Sequence, residues 1–243
     1  MKLVIAILLH CVSLCAADTL TIVACEWPPF TGSKLEKLGL LSELAVTALE
    51  KSGYTVKLQI IPWARAVKLT ENGRADALLG ASYLKEREKW AIYPEIIYTS
   101  NSHFFTQSDR LVKFTSFKAL APATISLLNG SNFIQELSLI PGLQLENVNS
   151  VDLNFKKVAY KRVDYSIEAL PVINYTLSKE LPELKHKIAV VNPSFAKDNL
   201  YLIFSRGTVN SARKVAAFNK GLKEIKKDGT YQKIVDRHLP ELP

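Results

Sequence analysis

Cysteine is scarce in this sequence. The 243 residues include three cysteines, and two of them, Cys11 and Cys15, fall within the first seventeen positions. If that segment is removed from the mature chain, Cys25 stands alone, and an intrachain disulfide is excluded because it needs two thiols. The remaining ~226 residues can still bury an adequate core without covalent staples.

Long apolar runs are also absent after position 17. No later segment approaches the ~18 consecutive apolar residues of a membrane-spanning helix, which predicts a soluble mature protein. The opening segment, MKLVIAILLHCVSLCAA, has a positive charge at Lys2, a short apolar stretch and small residues at its end. This layout is typical of a secretory signal peptide over residues 1–17, with cleavage after Ala17 and delivery to the periplasm. Lipid attachment at Cys15 is an alternative that the bulky Leu14 disfavours.

Clusters of catalytic or metal-binding side chains are missing too. His103, His186 and His238 are scattered, and no His/Cys/Asp group has metal-ligand spacing. We therefore expect no metal, no cofactor and no catalytic residues. The formal net charge of +8 could suit nucleic acid, but the basic residues are interleaved with acidic ones, and the export signal argues against that partner.

What is present is an alternation of strand-like and helix-like segments. Between residues 20 and 79 the order is β-α-β-α-β with short connections, and a second such unit begins near Ala123. This order predicts an α/β fold, with a mixed sheet covered by helices. The first unit is predicted to contain strands over 20–25, 56–61 and 75–79 and helices over 40–49 and 62–72. The second is predicted to contain strands over 123–128, 143–148 and 163–170. It is also predicted to contain three helices: one capped by Ser131, one over 151–160 and one that begins at Pro171.

Two β-rich stretches separate these units, and the chain ends in helices. Two lobes joined by two extended crossings would produce this order, with a cleft between the lobes as the natural ligand site. We predict that residues 18–105 form the first part of lobe 1 and residues 106–198 form lobe 2. Residues 199–243 then return to lobe 1.

At the end of the first strand stands Trp27-Pro28-Pro29-Phe30. Proline lacks an N–H and fixes φ, so the strand cannot continue through this pair. The chain therefore leaves the sheet with two large aromatic rings, which could be core packing or a platform for a ligand.

At this point the residues resemble a known family. The segments EWPPF, ENGRADALLG, YLKEREKWAIYPEIIY, LLNGSNF and KRVDYSIEAL, in that order and spacing, are similar to those of periplasmic solute-binding proteins, family 3, which serve polar amino-acid ABC importers. The resemblance implies a type II periplasmic-binding-protein fold whose two lobes close over a small solute. It also implies importer subunits as partners, and we expect a monomer.

The resemblance implies aromatic and cationic contacts from lobe 1. Trp27 and Trp63 would sandwich the solute, with Phe30 beside them, because flat rings give contact area at little entropic cost and can hold a cation. Arg65, in PWARA, is a second cation that could face the cleft.

Arg87 stands in the charged run KEREKW, where the residues alone favour a solvated face. The resemblance implies instead that its planar guanidinium grips a solute carboxylate. Gly80, Ser82 and Tyr83 would offer backbone groups and hydroxyls to the same carboxylate.

Lobe 2 contributes the turn NGSNF and the strand RVDYSIEAL. Asn129, Ser131 and Asn132 lie where a helix start with free N–H groups would favour an anion. The family usually places an amine-binding aspartate where this sequence has Ala169. Glu168 comes one position earlier, and it would substitute only if the strand ends or kinks there.

The leading hypothesis is an extracytoplasmic solute-binding protein for a carboxylate-bearing solute such as a polar amino acid, and not an enzyme. One alternative is a dehydratase on the same scaffold, similar to cyclohexadienyl dehydratase, with Glu168 or Glu26 as the acid. Another is a solute sensor without transport.

Overall fold

The computed structural model describes residues 18–110, 112 and 114–239. The predicted signal peptide and the possible lipid-attachment residue Cys15 lie outside these residues. Within them, the strands are β1 (Thr19–Ala24), β2 (Thr55–Ile60), β3 (Ala77–Ser82), β4 (Ala91–Ile92), β5 (Tyr98–Gln107), β6 (Ala123–Leu128), β7 (Leu143–Val148), β8 (Tyr165–Ala169), β9 (Ile188–Val190) and β10 (Ala196–Ser205). The α-helices of the same part are α1 (Leu40–Lys51), α2 (Trp63–Glu71), α3 (Phe133–Ser138), α4 (Val151–Ala159), α5 (Leu170–Tyr175), α6 (Ser211–Lys227) and α7 (Thr230–His238).

Two parallel β-α-β units make up the two lobes. In the first, β1 pairs in parallel with β2 and β3, and in the second, β6 pairs in parallel with β7 and β8. Each unit is covered by helices, as the alternation of the sequence predicts. We call them the first lobe and the second lobe, and the predicted two-lobed α/β fold is confirmed.

The two long strands β5 and β10 join the lobes. They are antiparallel to each other, and the sheet runs in the order β2-β1-β3-β10-β5-β8-β6-β7. β10 pairs with β3 of the first lobe, and β5 pairs with β8 of the second. These strands are the extended crossings that we predict. The divisions after residues 105 and 198 fall inside them and stay predictions.

The core of the first lobe forms on α1. Its apolar positions at helical spacing are all buried, and they pack against β1 and β3 and against residues of α6 and α7, including Phe218 and Ile234. The C-terminal helices therefore return to the first lobe. At the closest point, Gly221 of α6 lies directly on the backbone of Ala48 in α1.

One element differs from the prediction near residue 131. The helix begins at Phe133 and has six residues, so Asn132, rather than Ser131, is the residue before it. Ser131 still contributes locally, because its Oγ accepts a hydrogen bond from the Phe133 N–H at 3.4 Å. Only the predicted cap changes: Ser131 and Asn132 both line the cavity described below, and the anion contact expected of this turn stays a prediction.

Candidate functional site

A cavity lies between the two lobes, beside the crossing strands. The space inside it, including space open to solvent, is about 690 Å³. The first lobe and the crossing strands line it with Cys25, Trp27, Trp63, Gly80, Ser82, Arg87, Ser102 and Asp198. The second lobe lines it with Leu127, Leu128, Gly130, Ser131, Asn132, Phe133, Ile167, Glu168 and Ala169.

Trp27 lies in the cavity wall where the chain leaves β1. The strand ends at Ala24, and the Pro28-Pro29 pair then turns the chain, with the Trp27 N–H donating to the Thr31 carbonyl at 2.7 Å. The Trp27 indole N–H donates across the cleft to Glu168 Oε1 at 3.0 Å. The first lobe therefore positions the Trp27 ring, and a hydrogen bond connects this ring to the second lobe.

Trp63 also connects the lobes. Its indole N–H donates to the carbonyl of Gly130 at 3.4 Å. Gly130 has a φ of +83°, and a Cβ there would come within 3.2 Å of the Trp63 ring. A glycine at this turn therefore allows the second lobe to approach the ring closely.

Arg87 is the buried cation of the cavity. It lies in a 3-10 helix over Lys85–Lys89, and only 7% of its surface is exposed, while its charged neighbours in the run are exposed. Its Nη1 donates to the Ser82 carbonyl at 3.0 Å, and its guanidinium lies 5.6 Å from the Trp63 ring centre. Burial lowers the pKa of Arg87, but a guanidinium keeps its charge at any physiological pH. The charged run alone favours a solvent-exposed side chain at Arg87, and for this one residue that interpretation is wrong.

Glu168 reaches the cavity from the end of β8. The strand stays paired with β5 through Ala169, and α5 starts at the next residue with Pro171 in its first turn, so the strand ends one residue after Glu168. Glu168 Oε1 accepts hydrogen bonds from the Trp27 indole at 3.0 Å and from the Ala169 N–H at 2.9 Å. Burial nevertheless raises the pKa of Glu168 to about 7.

Asp198 is a second cavity carboxylate, which sequence reasoning missed. It comes from β10 and accepts a hydrogen bond from Ser82 Oγ at 2.9 Å. Burial raises the pKa of Asp198, and the Ser82 hydroxyl and the charge of Arg87 oppose that rise. The available signal was an acidic residue inside the β-rich stretch KDNLYLIF, but nothing local to that stretch points to the cleft.

Sequence reasoning also misses other residues of the cavity wall, among them Cys25, Ser102 and Phe133. Burial raises the pKa of the Cys25 thiol to about 12, so it is a neutral wall group. Phe133 follows the predicted NGSNF turn directly and could have been included with it.

Four predicted contact residues do not line the cavity. Phe30 is fully buried beneath Trp27, with ring centres 4.7 Å apart, so it supports the platform instead of touching a solute. Arg65 and Asn129 are exposed outside the cavity. Tyr83 is 50% exposed, and its hydroxyl donates to Glu88 at 2.8 Å.

Glu26, the other predicted acid, is exposed. It accepts hydrogen bonds from the N–H and hydroxyl of Ser33 and is not part of the cavity wall. This placement removes the Glu26 variant of the dehydratase alternative.

The raised pKa of Glu168 predicts a pH dependence of stability. The folded protein holds a proton on this carboxyl up to about pH 7, whereas an unfolded glutamate loses it near 4.5. The stability that the folded protein gains from this proton is fully present below pH 4.5 and is lost as the pH rises to about 7. Glu168→Gln cannot ionise at this position. Between pH 4.5 and 7.5 we therefore expect its free energy of unfolding, measured with urea, to fall by roughly 1–3 kcal/mol less than that of wild type.

Glu50→Gln, at an exposed position on α1, controls for the removal of one negative charge elsewhere. Equal pH slopes for wild type and Glu168→Gln would show that Glu168 titrates like an ordinary glutamate.

Within residues 18–110, 112 and 114–239, no helix is both long and apolar enough to cross a membrane. The same residues hold no group of three or more His, Cys, Asp and Glu side chains arranged to bind a metal ion.

Two lobes, two crossing strands and a charged, tryptophan-walled cleft define a solute-binding protein of the two-lobed class. The chain belongs to the bacterial extracellular solute-binding proteins, family 3, whose sequence model matches residues 20–241. It is 24% identical, over 98% of both chains, to an arginine-binding periplasmic protein from Mannheimia haemolytica.

Solved structures share the fold. The crystal structure of the substrate-binding protein of an amino acid ABC transporter matches with a TM-score of 0.79 and 19% identity, over 92% of this chain and 100% of that one. An ancestral amino acid-binding protein, described as a precursor of cyclohexadienyl dehydratase, matches with a TM-score of 0.75 and 21% identity, over 90% and 95%.

Proposed function

We propose that this protein captures a small carboxylate-bearing solute, an amino acid or a close relative, in the periplasm and delivers it to an ABC-type importer. The observation that carries the proposal is Arg87, a buried cation that faces the cavity between the lobes. A guanidinium pairs with both oxygens of a carboxylate at once, and the low-polarity surroundings strengthen that pairing.

The other charges of the cavity favour an amino acid over a plain acid. Asp198, whose carboxyl is close enough for the charge of Arg87 to oppose the rise of its pKa on burial, and Glu168 in the same cavity wall add carboxyl groups, which suits a solute that carries both signs. The name of the Mannheimia haemolytica relative supports the same class of solute. Secretion through a cleaved signal peptide and the importer subunits belong to this proposal.

Binding is expected to work by closure of the lobes. Trp27 and Trp63 of the first lobe already donate hydrogen bonds to Glu168 and Gly130 of the second. A solute that touches both walls would add contacts available only in the closed state, and so would shift the population toward it. Both crossing strands belong to the same chain, so a monomer suffices to close the two lobes over the solute.

Thermal unfolding of the mature protein against free amino acids, their decarboxylated amines and their des-amino carboxylates tests the proposal. A ligand at ~100 times its Kd stabilises by about 2.7 kcal/mol and should raise the midpoint by roughly 5–10 °C. We expect amino acids to produce such shifts and the decarboxylated amines to produce none. Shifts with the amines alone, or with no compound of the panel, would contradict a carboxylate-binding cleft.

A dehydratase is the second candidate, since Glu168 is a cleft carboxyl whose pKa is raised to about 7, as a general acid requires. Incubation with prephenate separates the two functions. We expect no aromatic product, and sustained turnover would favour the enzyme.

A sensor would use the same cleft, and assay of solute uptake in a strain lacking the gene distinguishes it from a transport component.

A further inference from the structure

Ser82 holds two of the charged groups of the cavity. Its backbone carbonyl accepts the hydrogen bond from Arg87 Nη1 at 3.0 Å, and its hydroxyl donates to Asp198 Oδ2 at 2.9 Å. One residue at the end of β3 therefore orients a cation and an anion together. Each attraction is strengthened because both groups are largely withdrawn from water.

A cation and an anion held by the same residue have a chemical counterpart in the solute. An α-amino acid carries its carboxylate and its ammonium on the same carbon, so its two charges also lie close together. A cation and an anion fixed by a single serine can meet such a head group with both signs matched. Plain carboxylates would satisfy Arg87 and leave Asp198 facing uncharged solute atoms.

Glu168 is less suited to the amine. Its Oε1 already accepts two hydrogen bonds, from Trp27 and from Ala169, and it approaches from the second lobe. Burial raises the pKa of both carboxyls, but the charge of Arg87 opposes the rise at Asp198, whereas no cation in the described part of the chain opposes it at Glu168, whose pKa reaches about 7. Ala169, the next residue in the wall, has no charge to offer.

We propose that Asp198 is the specificity-determining residue that recognises the solute amine. The head group is then read entirely by the first lobe and the crossing strand β10. Glu168 and the turn at Gly130 are left to contact the rest of the solute. This inference rests on the proposed function, because it divides the recognition of an amino acid between the two walls.

Asp198→Asn tests the inference, because asparagine keeps the shape and can still accept the Ser82 bond. Calorimetric titration compares L-arginine with 5-guanidinopentanoate, L-glutamine with 4-carbamoylbutanoate and L-glutamate with glutarate, each pair differing only in the α-amine. We expect wild type to prefer the amino acid of any bound pair by at least ~10-fold. The preference should fall below about 3-fold in Asp198→Asn, chiefly through weaker binding of the amino acid.

Glu168→Gln is the matched second variant, since it neutralises the other cavity carboxyl. It should keep the wild-type preference for the amine even where it changes the absolute Kd. Asp198→Glu restores the charge and should recover part of the preference, which separates recognition from damage to the fold.

An unchanged preference in Asp198→Asn, or its loss in Glu168→Gln, would overturn the role of Asp198 while leaving a carboxylate-binding protein intact. If wild type binds the des-amino compounds as tightly as the amino acids, the inference again fails alone. If wild type binds none of these six compounds and none of the free amino acids of the thermal-unfolding panel, the proposed function fails and this inference fails with it.

Discussion

Arg87→Ala should abolish measurable binding of carboxylate-bearing solutes, with Kd raised at least ~100-fold. The variant removes the one buried cation recorded in the cavity wall and leaves the solute carboxylate without its charge-assisted hydrogen bonds. Such bonds are worth more than neutral ones, and the loss leaves Asp198 and Glu168 to repel the carboxylate. Isothermal titration with whichever compound stabilises the wild-type protein measures the effect.

The chain offers a close control. Arg65→Ala removes the same charge from an exposed position outside the cavity, so any general effect of net charge would appear in both variants. Arg87→Lys keeps the charge but not the planar fork and should bind with intermediate affinity. Affinity of Arg87→Ala within about 3-fold of wild type would show that Arg87 is structural and that the solute is held elsewhere.

The second large effect is expected far from the cleft, at Gly221. A glycine in the middle of a helix normally costs about 1 kcal/mol relative to alanine, so Gly→Ala would stabilise an isolated α6. Here a Cβ would lie 1.8 Å from the carbonyl oxygen of Ala48, and backbone atoms cannot move aside as a flexible side chain can. We expect Gly221→Ala to destabilise the fold by roughly 2–3 kcal/mol, since α1 and α6 must separate.

Thermal unfolding should place the midpoint of Gly221→Ala roughly 5–10 °C below wild type. Lys220→Ala, at an exposed neighbour on the same helix, controls for an alanine substitution in α6 that does not touch α1, and it should unfold close to wild type. Solute affinity of the folded Gly221→Ala protein should stay close to wild type, because α6 packs on the side of the first lobe that holds α1. A midpoint equal to or above that of Lys220→Ala would mean that the helices accommodate a methyl group there.

Much of the fold was predictable because its signals are local. The apolar spacing of α1, for example, identifies both the helix and its buried face, since 3.6-residue periodicity is a property of neighbouring residues. The same holds for the exit from β1, which ends at Ala24, because Pro28 and Pro29 directly after Trp27 prevent the chain from continuing as a strand. Phe30, in the same four residues, was assigned to the solute but is core, because a sequence does not state which of two adjacent rings lies underneath.

The candidate site depended far more on distant contacts. Arg87 stands among exposed charged neighbours, and only the surrounding fold buries that single side chain. Asp198 meets Ser82 from 116 positions along the chain, and Glu168 meets Trp27 from 141 positions away. No local pattern encodes such pairs, which is why Asp198 is missed, whereas Trp27 and Trp63 are named by the family resemblance.

By itself, the sequence determined the order of strands and helices, the two-unit α/β plan and the aromatic exit of the first strand. These follow from periodicity, proline chemistry and chain order, which act over a few residues. Only the tertiary structure decided that Ser82 joins Arg87 to Asp198, that Glu168 is held by the Trp27 indole, and that Gly221 sets the distance between α1 and α6. The physical reason is that hydrogen bonds and close packing depend on atoms brought together by the whole fold, whatever their separation in sequence.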